Sequence, residues 1–284
     1  MKLPSPRAAS SSPLRISALL LAAALPAAAG VVADIPVAED TAWVPEFRKK
    51  FGVEVSYYHQ EQPYEVSGAP ILTLPAIPGG FAISSPTLSN IENELDHAHV
   101  KFDWDVLPFL NLFAVAGWVD GKTSLTASGT LGQAIPNPPP PMPIALPFQI
   151  DYDGFVYGLG TTLSYGGEHW FTSLTAFYSR TDVNVRSSEV EAFTVMPRVG
   201  YKWEKLTAWV GAMYLQTDEE HQGIYNVDFG FGPVPVGYSV NLQQQEDINF
   251  LIGLNYEFNE NWNATLEAGL GDRESYQISV QWRF

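Results

Sequence analysis

The chain has 284 residues, of which 46% are hydrophobic and 16% charged, and its 31 acidic and 15 basic side chains give a net charge of −16. It contains no cysteine, which excludes a disulfide scaffold, a thiol nucleophile and thiolate metal sites. The excess of acids argues against binding to nucleic-acid phosphates, which needs basic surface. Beyond the N-terminus there is no run of about 18 apolar residues, so the sequence does not predict transmembrane helices.

The N-terminus has the pattern of an export signal. Lys2, Arg7 and Arg15 flank or precede an apolar run over 16–25, and small residues lead to Ala29, where we expect cleavage; Ala33 ends a second candidate site. We therefore predict a cleaved signal peptide over residues 1–29 and a periplasmic strap over residues 30–50. Cleavage removes three bases and no acid, so 12 bases remain against 31 acids and the net charge becomes −19.

From residue 51 onward, apolar and polar side chains alternate with a period of two. This period is typical of strands, because successive side chains point to opposite faces. Ten segments are predicted as strands, two of them (110–119 and 170–179) apolar on both faces: 51–58, 97–106, 110–119, 155–165, 170–179, 193–203, 206–214, 248–258, 262–270 and 276–284. Each is about as long as the roughly 9–11 residues of a tilted transmembrane strand, and a closed barrel leaves no backbone group unpaired in lipid.

Aromatic residues and connection lengths support a membrane barrel. The aromatic residues near one end of the segments indicate a girdle at the membrane interface: Trp104, Tyr201, Trp203, Tyr256, Phe258, Trp262, Trp282 and Phe284. Short connections are predicted at 107–109, 166–169, 204–205 and 259–261. Longer ones are predicted at 61–95, 120–149, 180–190 and 217–247, with a brief one at 271–275. This alternation is typical of periplasmic turns and extracellular loops.

The last segment carries the most specific signal. Tyr276, Ile278, Val280, Trp282 and Phe284 share one face. This row resembles the C-terminal strand of bacterial outer-membrane β-barrels. The resemblance implies an all-β fold, a transmembrane antiparallel up-and-down barrel over residues 51–284 with about ten strands, eight or twelve being the alternatives.

The resemblance also has consequences for location and partners. It implies the outer membrane of a Gram-negative-type envelope, with outer-membrane lipid and lipopolysaccharide around the barrel. Tyr276, Trp282 and Phe284 then form the signal that the outer-membrane assembly machinery recognises in that family.

Charged side chains are predicted on the lumen face of the strands. They are Glu54, Lys101, Asp103, Asp105, Arg198, Lys202, Glu257, Glu267 and Arg283. A ring of charges can act as a selectivity filter or gate. In a lumen as narrow as that of ten strands, paired opposite charges can also fill the space, and the width favours this second arrangement with a small gated path retained. Because the first and last strands are neighbours, Glu54 and Arg283 are expected to pair directly.

Histidines offer two further hypotheses. His97 and His99 lie two residues apart on one strand face, so both imidazoles could reach one metal, with Asp96 or Asp103 to complete the site. Four convergent ligands are not evident in the sequence, so we expect no metal and no other cofactor. Asp96, His97 and His221 lie near predicted outer strand ends, where a carboxylate and an imidazole could deprotonate water. No spacing links these three residues.

Three predicted loops are apolar and rich in Gly and Pro: 68–86, 134–148 and 223–238. Exposed apolar surface often marks a ligand or partner site, although such loops can equally pack on one another as a lid. We therefore predict a porin-like narrow channel, or a surface protein that binds a small solute or a partner at its loops, and no nucleic acid. The alternative is a rim-active outer-membrane hydrolase, either a protease or a lipid-modifying enzyme; a non-enzymatic role is preferred.

Overall fold

The computed structural model describes residues 49–67, 71–73, 81–133, 140, 142–183, 189–228 and 233–284. The predicted signal peptide and all but the last two residues of the predicted strap lie outside these ranges, as do parts of the three apolar loops. No helix in the described ranges is long and apolar enough to cross a membrane.

The described chain forms antiparallel strands that close into a barrel. The strands are β1 (Phe51–Val66), β2 (Ile71–Thr73), β3 (Phe81–Leu107), β4 (Leu110–Gln133), β5 (Met142–Gly166), β6 (Trp170–Val183), β7 (Glu189–Trp203), β8 (Leu206–Asp228), β9 (Pro233–Gln244), β10 (Ile248–Glu257), β11 (Trp262–Leu270) and β12 (Glu274–Arg283). All except β2 and β9 form a closed ring of ten, in which β8 pairs with β10 and β12 pairs with β1. The ten predicted segments and the predicted fold class are confirmed.

The two faces of the wall have opposite character. Apolar side chains such as Leu159 (70% exposed) cover the outside, whereas Asp103 on the inside is 1% exposed. A sheet in water buries its apolar face, but this one presents it outward, which is stable where lipid replaces water.

The first and last strands complete the ring. The Phe284 N–H donates to the Phe51 carbonyl at 2.9 Å and the Phe51 N–H donates to the Phe284 carbonyl at 3.3 Å. The Phe284 ring stacks on Phe51 and Trp282, with centroid separations of 6.1 and 4.6 Å. We call this end of the barrel, which carries Lys49, Phe284 and the short turns, the turn end; the opposite end is the extended end. All eight predicted girdle residues are exposed on the outer surface.

Several strands continue past the predicted membrane segments. β3, β4 and β5 have 27, 24 and 25 residues, so much of 61–95 and 120–149, predicted as loops, is paired strand. Here the alternation is inverted: Leu125 and Ala127 are buried inside and Lys122 points out. A buried apolar cluster forms on the inner face of this extension, made of Tyr64, Ile91, Leu125, Ala127, Val240 and Leu242. A strand in water has polar side chains outward and apolar side chains buried, and the extensions have this pattern. The membrane pattern therefore ends before the strands do.

β9 closes a second, smaller ring at the extended end. It pairs with β8 on one side and with the end of β1 on the other. Nearer the turn end, β10, β11 and β12 occupy the place between β8 and β1. A path that starts at Val66 of β1 and follows the paired residue on each neighbouring strand returns to β1 at Ser56. It passes through seven other strands, at Leu242, Glu219, Val190, Thr181, Val156, Gly117 and His99. Barrel diameter grows with strand number, so the eight-stranded part is narrower than the ten-stranded part.

Candidate functional site in the lumen

The lumen holds a cavity of about 610 Å³ with two different walls. One wall, mainly on β1, β11 and β12, is polar and includes Tyr58, Gln60, Asn263, Thr265, Gln277 and Ser279. The other, on β4 to β8, carries most of the apolar lining residues between Ser and Thr side chains, and we call it the apolar wall; it includes Phe113, Val115, Val156, Phe177, Met196 and Met213. Binding sites for small molecules combine apolar side chains with placed polar groups, and this cavity offers both.

Glycines on the inner face let aromatic rings lie flat against the wall. A side chain at Gly253 would overlap the ring of Trp209 on the neighbouring strand, and one at Gly160 would overlap Phe113. The Trp209 Nε1–H donates to Glu267 at 2.6 Å, which fixes that ring along the wall. The rings therefore line the lumen without crossing it, and the cavity stays open.

Gly253→Val is expected to displace Trp209 from the wall and break its hydrogen bond to Glu267. Overpacking of this kind lowers the free energy of unfolding by about 1–3 kcal/mol. Urea unfolding of the barrel in lipid vesicles, followed by tryptophan fluorescence, measures the change. Ala264→Val, on the outward face of the adjacent strand, is the control; equal losses for the two variants would contradict the role of Gly253.

The most buried of the described ion pairs, Arg283 with Asp103, lies near the turn end. Arg283 donates from Nη1 to Asp103 at 2.9 Å and pairs with Asp105 through Nη2. Asn111 donates to both carboxylates, at 3.0 and 2.7 Å, and Gln281 donates to Asp103 at 2.7 Å. We call these five residues the turn-end cluster. The cluster packs against β1 at Gly52, where a side chain would overlap the Asp103 carboxylate.

The other predicted lumen charges are paired as well. Lys101 binds Glu54 at 2.8 Å, and Lys202 binds Glu257 at 3.1 Å. Arg198 makes two hydrogen bonds of 2.8 Å to Glu267, one to each carboxylate oxygen. All nine predicted residues therefore have an oppositely charged partner, and their role as a filter or gate stays a prediction.

The expected direct pair between Glu54 and Arg283 is wrong. Gly52 lies opposite Arg283 and Glu54 lies opposite Gln281, so both charged residues find closer partners on β3. The pairs join strands one to three places apart in the ring. They run along the wall and line the cavity, and the expectation that paired charges fill the lumen stays a prediction.

Two of the residues predicted for hydrolysis, Asp96 and His97, lie on opposite sides of the barrel wall. Asp96 points outward, where it accepts hydrogen bonds from Tyr57 at 2.5 Å and pairs with His59 Nδ1 at 2.8 Å. His97 faces the cavity on the opposite side of the wall. His221 belongs to β8, opposite Val240, and its side chain lies outside the described part of the structure. The cross-strand partner of Asp96 is thus His59, which only the strand register reveals.

Metal ligands do not converge where the sequence suggested. His97 and His99 stack in the lumen with centroids 4.5 Å apart, but Asp96 is outside and Asp103 belongs to the turn-end cluster. Within the described residues, one other group places three ligand atoms within 4.8 Å of one another: His59, Glu61 and Glu94. Glu94 is already paired with Lys122 at 2.7 Å.

One lumen residue was missed by the sequence reasoning. Arg273 falls in the brief predicted connection 271–275, yet its side chain turns inward between Gln62 and Met213 at the extended end. An alternating pattern assigns faces only within strands, so a side chain from a tight connection escapes it.

No family model and no curated protein matches the sequence. Among solved structures, the chain is similar to the transport unit of the autotransporter AIDA-I from Escherichia coli, with 9% identity, coverage of 86% of this chain and 95% of that one, and a TM-score of 0.39. An outer-membrane channel from Pseudomonas putida has 10% identity, 88% and 100% coverage and a TM-score of 0.39. The outer-membrane protease OmpT from Escherichia coli has 10% identity, 84% and 97% coverage and a TM-score of 0.38.

Likeness at this level supports no conclusion about activity. The molecule itself defines the class: a closed antiparallel ring of ten strands with an apolar outer surface, an aromatic girdle and a polar lumen. The chain is a β-barrel of the outer-membrane type, as the C-terminal strand predicted.

Proposed function

We propose that the protein is a narrow channel in the bacterial outer membrane that admits small organic solutes with both polar and apolar parts. The observation that carries this proposal is the cavity of about 610 Å³, with a polar wall facing an apolar one. The turn end, where β1 begins and β12 ends, then faces the periplasm, and the extended end faces the outside. Outer-membrane lipid, lipopolysaccharide and the assembly machinery remain the proposed partners.

Charge pairing supports solute passage more than bulk ion flow. Each lumen cation beside the cavity, namely Lys101, Arg198, Lys202 and Arg283, has a carboxylate partner on the wall. Paired charges leave little net field along the axis, whereas an ion channel needs rings of one sign. An apolar wall offers dispersion contacts to a solute that a purely polar lumen lacks.

Flux of two matched solutes tests the proposal. Vesicles containing the protein are expected to swell faster in phenyl glucoside than in methyl glucoside, although phenyl glucoside is larger. Phe113 and Phe177 stack in the apolar wall with centroids 5.7 Å apart. Replacing both by Ala removes the apolar contact surface and is expected to lower the phenyl-to-methyl rate ratio roughly tenfold, about 1.4 kcal/mol of binding.

The control for this test is Phe155→Ala, which removes the same ring from the outer surface and is expected to leave the ratio unchanged. Wild-type vesicles that swell no faster than protein-free vesicles would contradict a channel. A ratio unaffected by Phe113→Ala/Phe177→Ala would contradict selection by the apolar wall.

A further inference from the structure

Arg273 is a buried cation that forms no ion pair with a carboxylate among the residues that the structure describes. It lies in the tight connection between β11 and β12 and is 3% exposed. Its Nε–H donates to the Gln62 side-chain oxygen at 2.6 Å, and Nη1 has only the Met213 sulfur, at 3.5 Å. Nη2 is buried and has no hydrogen-bond partner in the described part of the chain.

The backbone holds this side chain in place. Asn249, which is 1% exposed, donates from Nδ2 to the Arg273 carbonyl at 2.6 Å. Gly271 precedes it with a φ of 136°, a backbone conformation that favours glycine, and this turns the connection inward. The guanidinium is therefore positioned by the connection itself and is not a surface side chain that happens to fold back.

Burial of a guanidinium without a counter-charge is unfavourable. Moving a charge out of water costs several kcal/mol, and a carboxylate with good geometry offsets this. The four other lumen cations each have such a carboxylate, whereas the described hydrogen-bond partners of Arg273 are an amide oxygen and a thioether, which is a weak acceptor. Asp247 is near enough to interact with Arg273 electrostatically, but the two form no ion pair within the described residues. The edge formed by Nη1 and Nη2 is the edge that binds a carboxylate through two parallel hydrogen bonds.

The guanidinium lies behind two residues that line the lumen cavity. Gln62 and Met213, which contact Arg273, both line that cavity at its extended end. Met213 covers the open edge of the guanidinium, and an unbranched thioether side chain with three rotatable bonds is readily displaced. A carboxylate entering along the cavity can take the place of the sulfur at Nη1 and reach Nη2.

We propose that Arg273 anchors an anion-binding subsite, and that the solute of the lumen is a small organic carboxylate with an apolar body. This inference rests on the proposed channel function and adds the charge class of the solute. The carboxylate binds the Nη1–Nη2 edge of Arg273, and the body lies against the apolar wall. Among the lumen cations that the structure describes, the others are paired, so Arg273 is the group that recognises the anion.

Binding of an isosteric pair tests the subsite. The full chain in lipid nanodiscs is titrated with phenylacetate and with its neutral amide, phenylacetamide, by ligand-observed NMR. Wild-type protein is expected to bind phenylacetate at least about tenfold more tightly than the amide, because hydrogen bonds between charged groups are the stronger ones. Arg273→Gln is expected to reduce phenylacetate affinity to that of the amide, and Arg273→Lys to retain part of the preference.

Arg180→Gln is the matched control, since it makes the same charge change outside the lumen on β6 and is expected to leave both affinities unchanged. Equal wild-type affinities for acid and amide would overturn the subsite while leaving the channel intact. Binding of neither compound, together with no phenyl glucoside flux, would overturn the channel as well. Loss of both affinities in Arg273→Gln, with a normal heat-modifiable gel shift, would assign Arg273 to the shape of the cavity and overturn anion recognition.

Discussion

Arg283→Gln is expected to lower the free energy of unfolding by about 3–5 kcal/mol, the usual cost of removing one partner from a buried ion pair. Arg283 is 8% exposed and Asp103 is 1% exposed, so water does not replace the lost guanidinium. The substitution also leaves Asp103 and Asp105 facing one another without a cation. Asn111 and Gln281 then supply the remaining hydrogen bonds to two like charges.

Urea unfolding in lipid vesicles, read by tryptophan fluorescence and by heat-modifiable gel migration, measures this loss. The control is Lys122→Gln, because Lys122 and Glu94 form an exposed pair, with side chains 42% and 41% exposed, where the loss is expected to stay below about 1 kcal/mol. Similar losses in the two variants would contradict a buried role for Arg283. Replacing Arg283 and Asp103 together by apolar residues of similar size is expected to cost less than Arg283→Gln alone.

Deleting Phe284 is expected to reduce the amount of assembled barrel at least about tenfold. The deletion removes two backbone hydrogen bonds to Phe51 and two ring contacts, each contributing about 0.5–1.5 kcal/mol. These contacts close the ring between its first and last strands, so their loss is concentrated at the seam. The proposed recognition of the terminal aromatic residue by the assembly machinery would act in the same direction.

Heat-modifiable protein in isolated outer membranes, quantified against total protein, measures assembly. Phe258→Ala removes a girdle ring away from the seam and is expected to change assembly little; Phe284→Tyr keeps the ring and both backbone bonds and is expected to assemble. Normal assembly of the chain lacking Phe284 would contradict the role of the seam.

The membrane-spanning strands were predictable because lipid imposes one strict rule. Every residue pointing outward from the membrane-spanning parts of β1, β10 and β12 must be compatible with hydrocarbon, and that leaves a period of two that can be read residue by residue. The inward charges follow from the same parity. The partners of these charges do not follow from parity, because pairing also depends on strand register. Arg283 lies opposite Gly52, two residues away from Glu54, so Glu54 pairs with Lys101 and Arg283 finds its partners on β3.

The extensions and the cavity were not predictable for related reasons. In β4 the apolar side of the strand changes from outside at Trp118 to inside at Leu125, so the row of outward apolar side chains ends between these residues. β9 was hidden in a predicted loop for the same reason. The inward glycines at 160 and 253 were visible in the sequence, but only the strand neighbours show that each lies beneath a ring.

The two rings have a consequence for the order of assembly. The eight-stranded ring uses β1 and the strands from β3 to β9, so it requires no residue after Gln244. The ten-stranded ring requires β12, whose pairing with β1 joins the two ends of the barrel sequence. The chain can thus close at its extended end while β10, β11 and β12 are still unpaired, and these three strands then fill a gap whose two edges, β8 and β1, are already held by β9. In that order of closure, β9 sets the spacing of the two edges that β10 and β12 meet.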